Sequence, residues 1–171
     1  MQLLPLPEQT DCVSWSGKMI NNPKLTSPFI VPCSGGYDFS GSAVIAVSDQ
    51  GYVLLPDDVE SRAYAYPFSA PEWGNGVKIT ALVVPAASGS AHILTAADAG
   101  VSGSAPNVRN VANSYTNRPL TSAVWNKDAS LSFTTALEGD FVMAYINRLA
   151  SDDGDTIEDT VGVYGFLVER I

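Results

Sequence analysis

Positive charge is what this chain has least of. Lys and Arg number nine against eighteen Asp and Glu, giving a net charge of −9 and a pI near 4.3. A phosphate backbone is held by clustered cations that displace its counterions, and no stretch here supplies such a cluster. Nucleic acid is excluded as a partner on that ground, and an anionic membrane surface with it. Long apolar runs are missing too. No segment approaches the roughly 18 consecutive apolar residues that a bilayer-crossing helix needs. The opening Met1-Gln2-Leu3-Leu4-Pro5-Leu6-Pro7-Glu8 has no basic region and is broken by prolines, so no secretory signal is expected. No Asn-x-Ser/Thr acceptor occurs.

Cysteine and histidine are nearly absent. Cys12 and Cys33 read as two reduced thiols in the absence of a signal, a disulfide closing the loop between them being the alternative. With His92 the only imidazole, the spacing fits no closed zinc site. Catalytic patterns are absent as well. There is no Gly-x-Ser-x-Gly elbow, and Ser34-Gly35-Gly36 lacks the Lys and helix of a phosphate loop. A lone His92 would need an orienting partner, for which Asp98 or Ser90 are candidates. A single strand-borne histidine is more often structural. The expectation is a non-catalytic chain with no cofactor.

What is present is small, β-branched and apolar. Only 16% of residues are charged and 46% are hydrophobic, with 14 Gly and 11 Pro. That mixture suits β-structure and broad contact surfaces better than a solvated helical bundle. Short apolar runs separated by turn residues recur from Gly41 onward. They are Ser42–Val47, Tyr52–Leu55, Ala63–Phe68, Val77–Val84, Ala91–Leu94, 108–112, Ala123–Trp125, Leu131–Thr135, Phe141–Arg148 and Thr160–Ile171. Thr95 to Ala99 alone invites a helical turn. The pattern predicts an all-β chain, a jelly-roll-like β-sandwich of about eight antiparallel strands.

Residues 1–38 differ. They hold Pro5, Pro7, Pro23, Pro28 and Pro32 with isolated bulky apolar groups, and they read as an extended, proline-rich arm ahead of a β-sandwich over 39–171. An arm this apolar is expected to lie against its own domain or a neighbouring subunit. Leu3, Leu4, Leu6, Trp15, Phe29 and Ile30 are its candidate contact residues. Between Ile79 and Val108 the single charged residue is Asp98, which marks either core or a surface covered in an assembly.

Two clusters carry possible chemistry. Asp152, Asp153, Asp155, Glu158 and Asp159 could offer hard oxygen ligands to Ca²⁺, but their spacing is not that of an EF-hand. A solvated connection whose side chains bond their own turn is the plainer reading, and no metal requirement is expected. Tyr64, Tyr66, Phe68 and Trp73 could form a sugar-stacking platform, or could fill the core from alternate positions.

The C-terminal part resembles a known pattern. Gly139-Asp140-Phe141-Val142 enters a strand that closes on Arg148. An acidic connection with Asp155-Thr156 follows, and Gly165-Phe166-Leu167-Val168-Glu169 lies in the last strand. This resembles jelly-roll structural proteins of tailed bacteriophages: capsid cement or decoration proteins, head fibres, and tail or baseplate components. The resemblance covers residues 138–171. It departs from the pattern in ending on Glu169-Arg170-Ile171, where a terminal aromatic is common.

The resemblance implies that Arg148, Asp155 and Thr156 form a structural latch between the last two strands. It also implies a virion structural protein, foremost a capsid cement protein on the capsid surface, assembled in the host cytoplasm. Such a protein would be a homotrimer in contact with the major capsid protein or other virion proteins. The alternative is a tail-associated receptor- or carbohydrate-binding β-sandwich module.

Overall fold

The computed structural model describes residues 28–39, 48–68, 77–100, 109–112, 114–126, 132–135 and 141–170. These form ten strands and, among the described residues, no helix. The strands are β1 (Phe29–Asp38), β2 (Val53–Leu55), β3 (Glu60–Ala65), β4 (Val77–Pro85), β5 (Gly89–Gly100), β6 (Arg109–Ala112), β7 (Thr116–Leu120), β8 (Ser132–Thr135), β9 (Phe141–Leu149) and β10 (Val161–Arg170). The chain is all-β, as the alternating pattern predicts.

Every pairing is antiparallel, and the ladder runs β6-β5-β9-β3-β1-β10-β4-β8, with β2 beside β10 and β7 beside β5. It divides at β1. Phe29 to Pro32 pair with β10 in one sheet (A), and Cys33 to Asp38 pair with β3 in the other (B), with a register irregularity between Cys33 and Gly35. Sheet A therefore holds β8, β4, β10, β2 and the first part of β1. Sheet B holds the rest of β1 with β3, β9, β5, β6 and β7.

This corrects the reading of residues 29–38 as part of an arm. They are a paired strand that joins the two sheets, and their prolines and glycines obscure it. Pro32 lacks an N–H, but it stands at the end of the β10 pairing, where a ladder donor is least needed. Opposite it, Gly165 is required by close approach: a Cβ there would lie 2.3 Å from the Val31 carbonyl oxygen. Residues 1–27 lie outside the described residues, as do Ser42 to Val47 and Trp73.

The core lies between the sheets, and its two faces differ in size. Sheet A contributes Val77, Ile79, Val83, Val161, Val163, Phe166 and Val168, while sheet B contributes Ala63, Ala65, Ala91, Ala97 and Ala144 with Ile93 and Ile146. Small side chains on one face let the branched ones opposite interdigitate closely. The weakly charged stretch after Ile79 is thus strand as far as Gly100, broken by the connection at 86–88 between β4 and β5. Thr95 to Ala99 is strand, not a helical turn, because β5 is paired with β9 along one edge and with β7 and β6 along the other. Ala123 to Trp125 is a turn, not a strand, and β7 precedes it instead.

Candidate functional site

Strand alternation decides what the outside of sheet B carries. In β3, Ser61, Ala63 and Ala65 are buried towards the core, so Glu60, Arg62 and Tyr64 point outward. The aromatics of Ala63-Tyr64-Ala65-Tyr66 are therefore not the core fillers; the alanines are. In β1 the same rule buries Asp38 and turns out Tyr37 and Phe39, exposed by 37% and 42%. In β9 it turns out Met143, Tyr145 and Asn147.

Pairing brings these strands side by side. Tyr64 sits opposite Tyr145, and Arg62 lies between Tyr37 and Asn147. Tyr37 packs on Phe39 at 5.2 Å between ring centres and on Tyr64 at 6.3 Å. The Arg62 guanidinium lies 4.2 Å from the centre of the Tyr145 ring, 5.1 Å from that of Phe39 and 5.7 Å from that of Tyr37. These are stacking distances at which a guanidinium is attracted to the ring faces. Tyr37, Arg62, Tyr64, Met143 and Tyr145 line an open cavity of about 230 Å³.

A polar chain fixes Arg62. Its Nε donates to Asn147 Oδ1 (2.7 Å), Asn147 Nδ2 donates to the Tyr115 hydroxyl (3.0 Å), and that hydroxyl donates to Glu60 Oε1 (3.0 Å). Burial, the largest influence on it, pushes the Tyr115 phenol up from its ordinary pKa. Asp98 stands opposite Met143 on the same face. Burial pushes its carboxyl up, partly offset by the Arg62 charge, and its Oδ1 has no hydrogen-bond partner.

His92 is elsewhere on this sheet. Its ring stacks on Tyr115 (5.5 Å, 2°), its Nδ1 meets Asn117 Oδ1, and Asp152 Oδ1 lies 3.5 Å away. Its ring thus meets Tyr115, Asn117 and Asp152, and not Asp98 or Ser90, the partners considered for it from sequence.

Two of the three latch residues, Arg148 and Asp155, meet. Arg148 is wholly buried and grips both carboxylate oxygens of Asp155, Nε at 2.9 Å and Nη2 at 2.8 Å. Its remaining donors reach the carbonyls of Leu55, Pro56, Asp159 and Ile157. Thr156 does not join them. Its hydroxyl accepts from the Ser90 N–H, and its own N–H donates to the Ser90 carbonyl.

Two other acids of that connection bond their own turns, Asp152 accepting from Gly154 N–H and Asp159 from Thr160 N–H. Among the described residues no group of three or more His, Cys, Asp or Glu side chains converges as a metal site.

Of the contact candidates, Leu3, Leu4, Leu6 and Trp15 lie outside the described residues. Phe29 packs edge-on against Phe68 (5.8 Å) beside the core, whereas Ile30 is half exposed. Cys33 carries a free thiol that burial pushes up to about 12. A second aromatic group, Tyr52, Trp125 and Tyr164, sits on the outer side of sheet A with ring centres 5.3–6.1 Å apart. Sequence reasoning missed Tyr37, Arg62 and Tyr145. Their only linear signal was the period of two through Glu60, Arg62 and Tyr64.

No family model and no curated protein matches the chain. Among solved structures it is similar to the enzymatically active domain of tailspike protein 4 from bacteriophage CBA120. The identity is 7% and the TM-score 0.44, over 87% of this chain and 20% of that one. The chain thus spans about a fifth of the length of the protein it is likened to. The expectation that the chain is not an enzyme is corrected: the domain it is similar to is enzymatically active.

Proposed function

We propose that this chain is a virion-associated carbohydrate-binding β-sandwich whose ligand face is the outer side of sheet B. The observation that carries this is the cavity lined by Tyr37, Tyr64 and Arg62, with Phe39 packed on Tyr37 and Arg62 over both of those rings. A sugar ring is apolar on its C–H faces and polar at its rim. Exposed aromatic faces beside a fixed donor answer both features. A cavity of about 230 Å³ suits one or two rings at the surface, as a shallow recognition site requires.

The association with a virion rests on the resemblance of residues 138–171 to tailed-phage structural proteins. Of the two roles it suggests, the aromatic face favours the tail-associated binding module. The cement role and the homotrimer rest on the resemblance, on the apolar arm read over residues 1–38 and on the weakly charged stretch from Ile79 to Val108.

The test is a glycan array probed with the whole chain and with Tyr37→Ala, Tyr64→Ala and Trp125→Ala. Binding of a defined glycan is expected, weakened roughly tenfold (about 1.4 kcal/mol) by each tyrosine change and untouched by Trp125→Ala. Retained binding in both tyrosine variants would end the proposal.

A further inference from the structure

The guanidinium of Arg62 is held in a way that leaves one edge open. Its Cζ lies over the rings of Tyr145, Phe39 and Tyr37, and its Nε is committed to Asn147. Its two terminal nitrogens have no hydrogen-bond or salt-bridge partner among the described residues, although the chain carries eighteen acids. Even Asp98, whose field Arg62 feels, forms no ion pair with it.

A guanidinium stacked and anchored in this way presents a planar pair of N–H donors at fixed spacing. That is the fork a carboxylate accepts with both oxygens. Being pre-positioned, it loses little side-chain freedom on binding. The fork lies at a cavity lined by Tyr37, Tyr64, Met143 and Tyr145. From this geometry we infer that the ligand is a carboxylated glycan, its sugar ring on the tyrosines and its carboxylate on the terminal nitrogens of Arg62.

The inference rests on the carbohydrate-binding reading and narrows it. The net charge of −9 opposes an acidic ligand at range, but at physiological ionic strength that field is screened beyond about 8 Å. The contact at Arg62 then decides.

The experiment uses the whole chain on an array of uronate-containing and sialylated oligosaccharides. Each is printed beside its methyl ester, which keeps the ring and removes the charge. Affinities of bound members are then measured in solution for the wild-type chain, Arg62→Gln and Arg62→Lys, with the melting temperature as a check on folding. The expected result is binding of carboxylated members and at least a tenfold loss on esterification. Arg62→Gln should lose the distinction between acid and ester, and Arg62→Lys should keep part of it.

The uronate and sialylated arms show which source of carboxylate the site accepts. Equal binding of acids and esters, abolished by Tyr64→Ala, would overturn the carboxylate inference and leave the platform standing. Acid-selective binding unchanged in Arg62→Gln would also overturn it. Binding of no member at all would overturn both. If Arg62→Gln fails to fold, the acid-to-ester ratio of the wild-type chain alone decides.

Discussion

Replacing Arg148 with Met removes a wholly buried guanidinium and keeps much of its length. Two losses follow. The Asp155 carboxylate, 2% exposed, is left as an unpaired charge in the core, and breaking a buried pair from one side costs about 3–5 kcal/mol. The carbonyls of Leu55, Pro56, Ile157 and Asp159 lose their donor as well, and an orphaned buried acceptor costs about 1–3 kcal/mol.

These costs do not add fully, because local opening would admit water to residues 155–159. The larger single cost still sets a floor of about 3 kcal/mol against a total stability of about 5–15 kcal/mol. Urea unfolding followed by tryptophan fluorescence reads this directly. The midpoint should fall sharply with the slope unchanged. Adding Asp155→Leu removes the stranded charge. Asp155 also accepts from the N–H groups of His92 and Ile157, so the double variant should recover only part of the loss. A cost under about 1 kcal/mol for Arg148→Met would refute the reasoning, because it would place Arg148 in a solvated pair and not at the hub of a buried network.

Three further outcomes follow from the same structure. Gly165→Ala should cost about 1–3 kcal/mol or more, since the added methyl meets the Val31 main chain and not a side chain that can move aside; thermal unfolding measures it. Asp98→Asn should raise stability at neutral pH. Burial lifts the folded Asp98 pKa above its unfolded value, so the native state pays for ionisation as pH rises through that window. The advantage should shrink as pH falls through the same window, and a pH-independent gain would contradict the cause given. Cys33, its thiol pushed up to about 12, should resist iodoacetamide near pH 8 in the folded chain and react once urea unfolds it.

Much of the fold was legible because its strands are short apolar runs set between turn residues. β3, β4, β9 and β10 each fall where those runs place them, β3 with a period of two. β5 was harder. Thr95-Ala96-Ala97-Asp98-Ala99 has no strong local preference, and pairing on both edges makes it a strand. β1 was hidden by Pro32, Gly35 and Gly36, which mark the point where one strand changes sheets.

The candidate site was half visible. Tyr64 and Tyr66 stood out, but their direction could not be read. It depends on whether large or small residues line sheet B, and the branched side chains of the facing sheet settle that in favour of alanine. Arg62 was invisible as a site residue, because its partner Asn147 comes 85 positions later. Only the register of β3 against β9 brings the two together.

The central claim is that ligand meets the outer side of sheet B, and aromatic-ring NMR of the chain titrated with an array-selected oligosaccharide tests it most directly. The account predicts saturable shifts in the ring signals of Tyr37, Phe39 and Tyr64, with Tyr52, Trp125 and Tyr164 on the opposite sheet unmoved. Shifts confined to Tyr52, Trp125 and Tyr164 would contradict it.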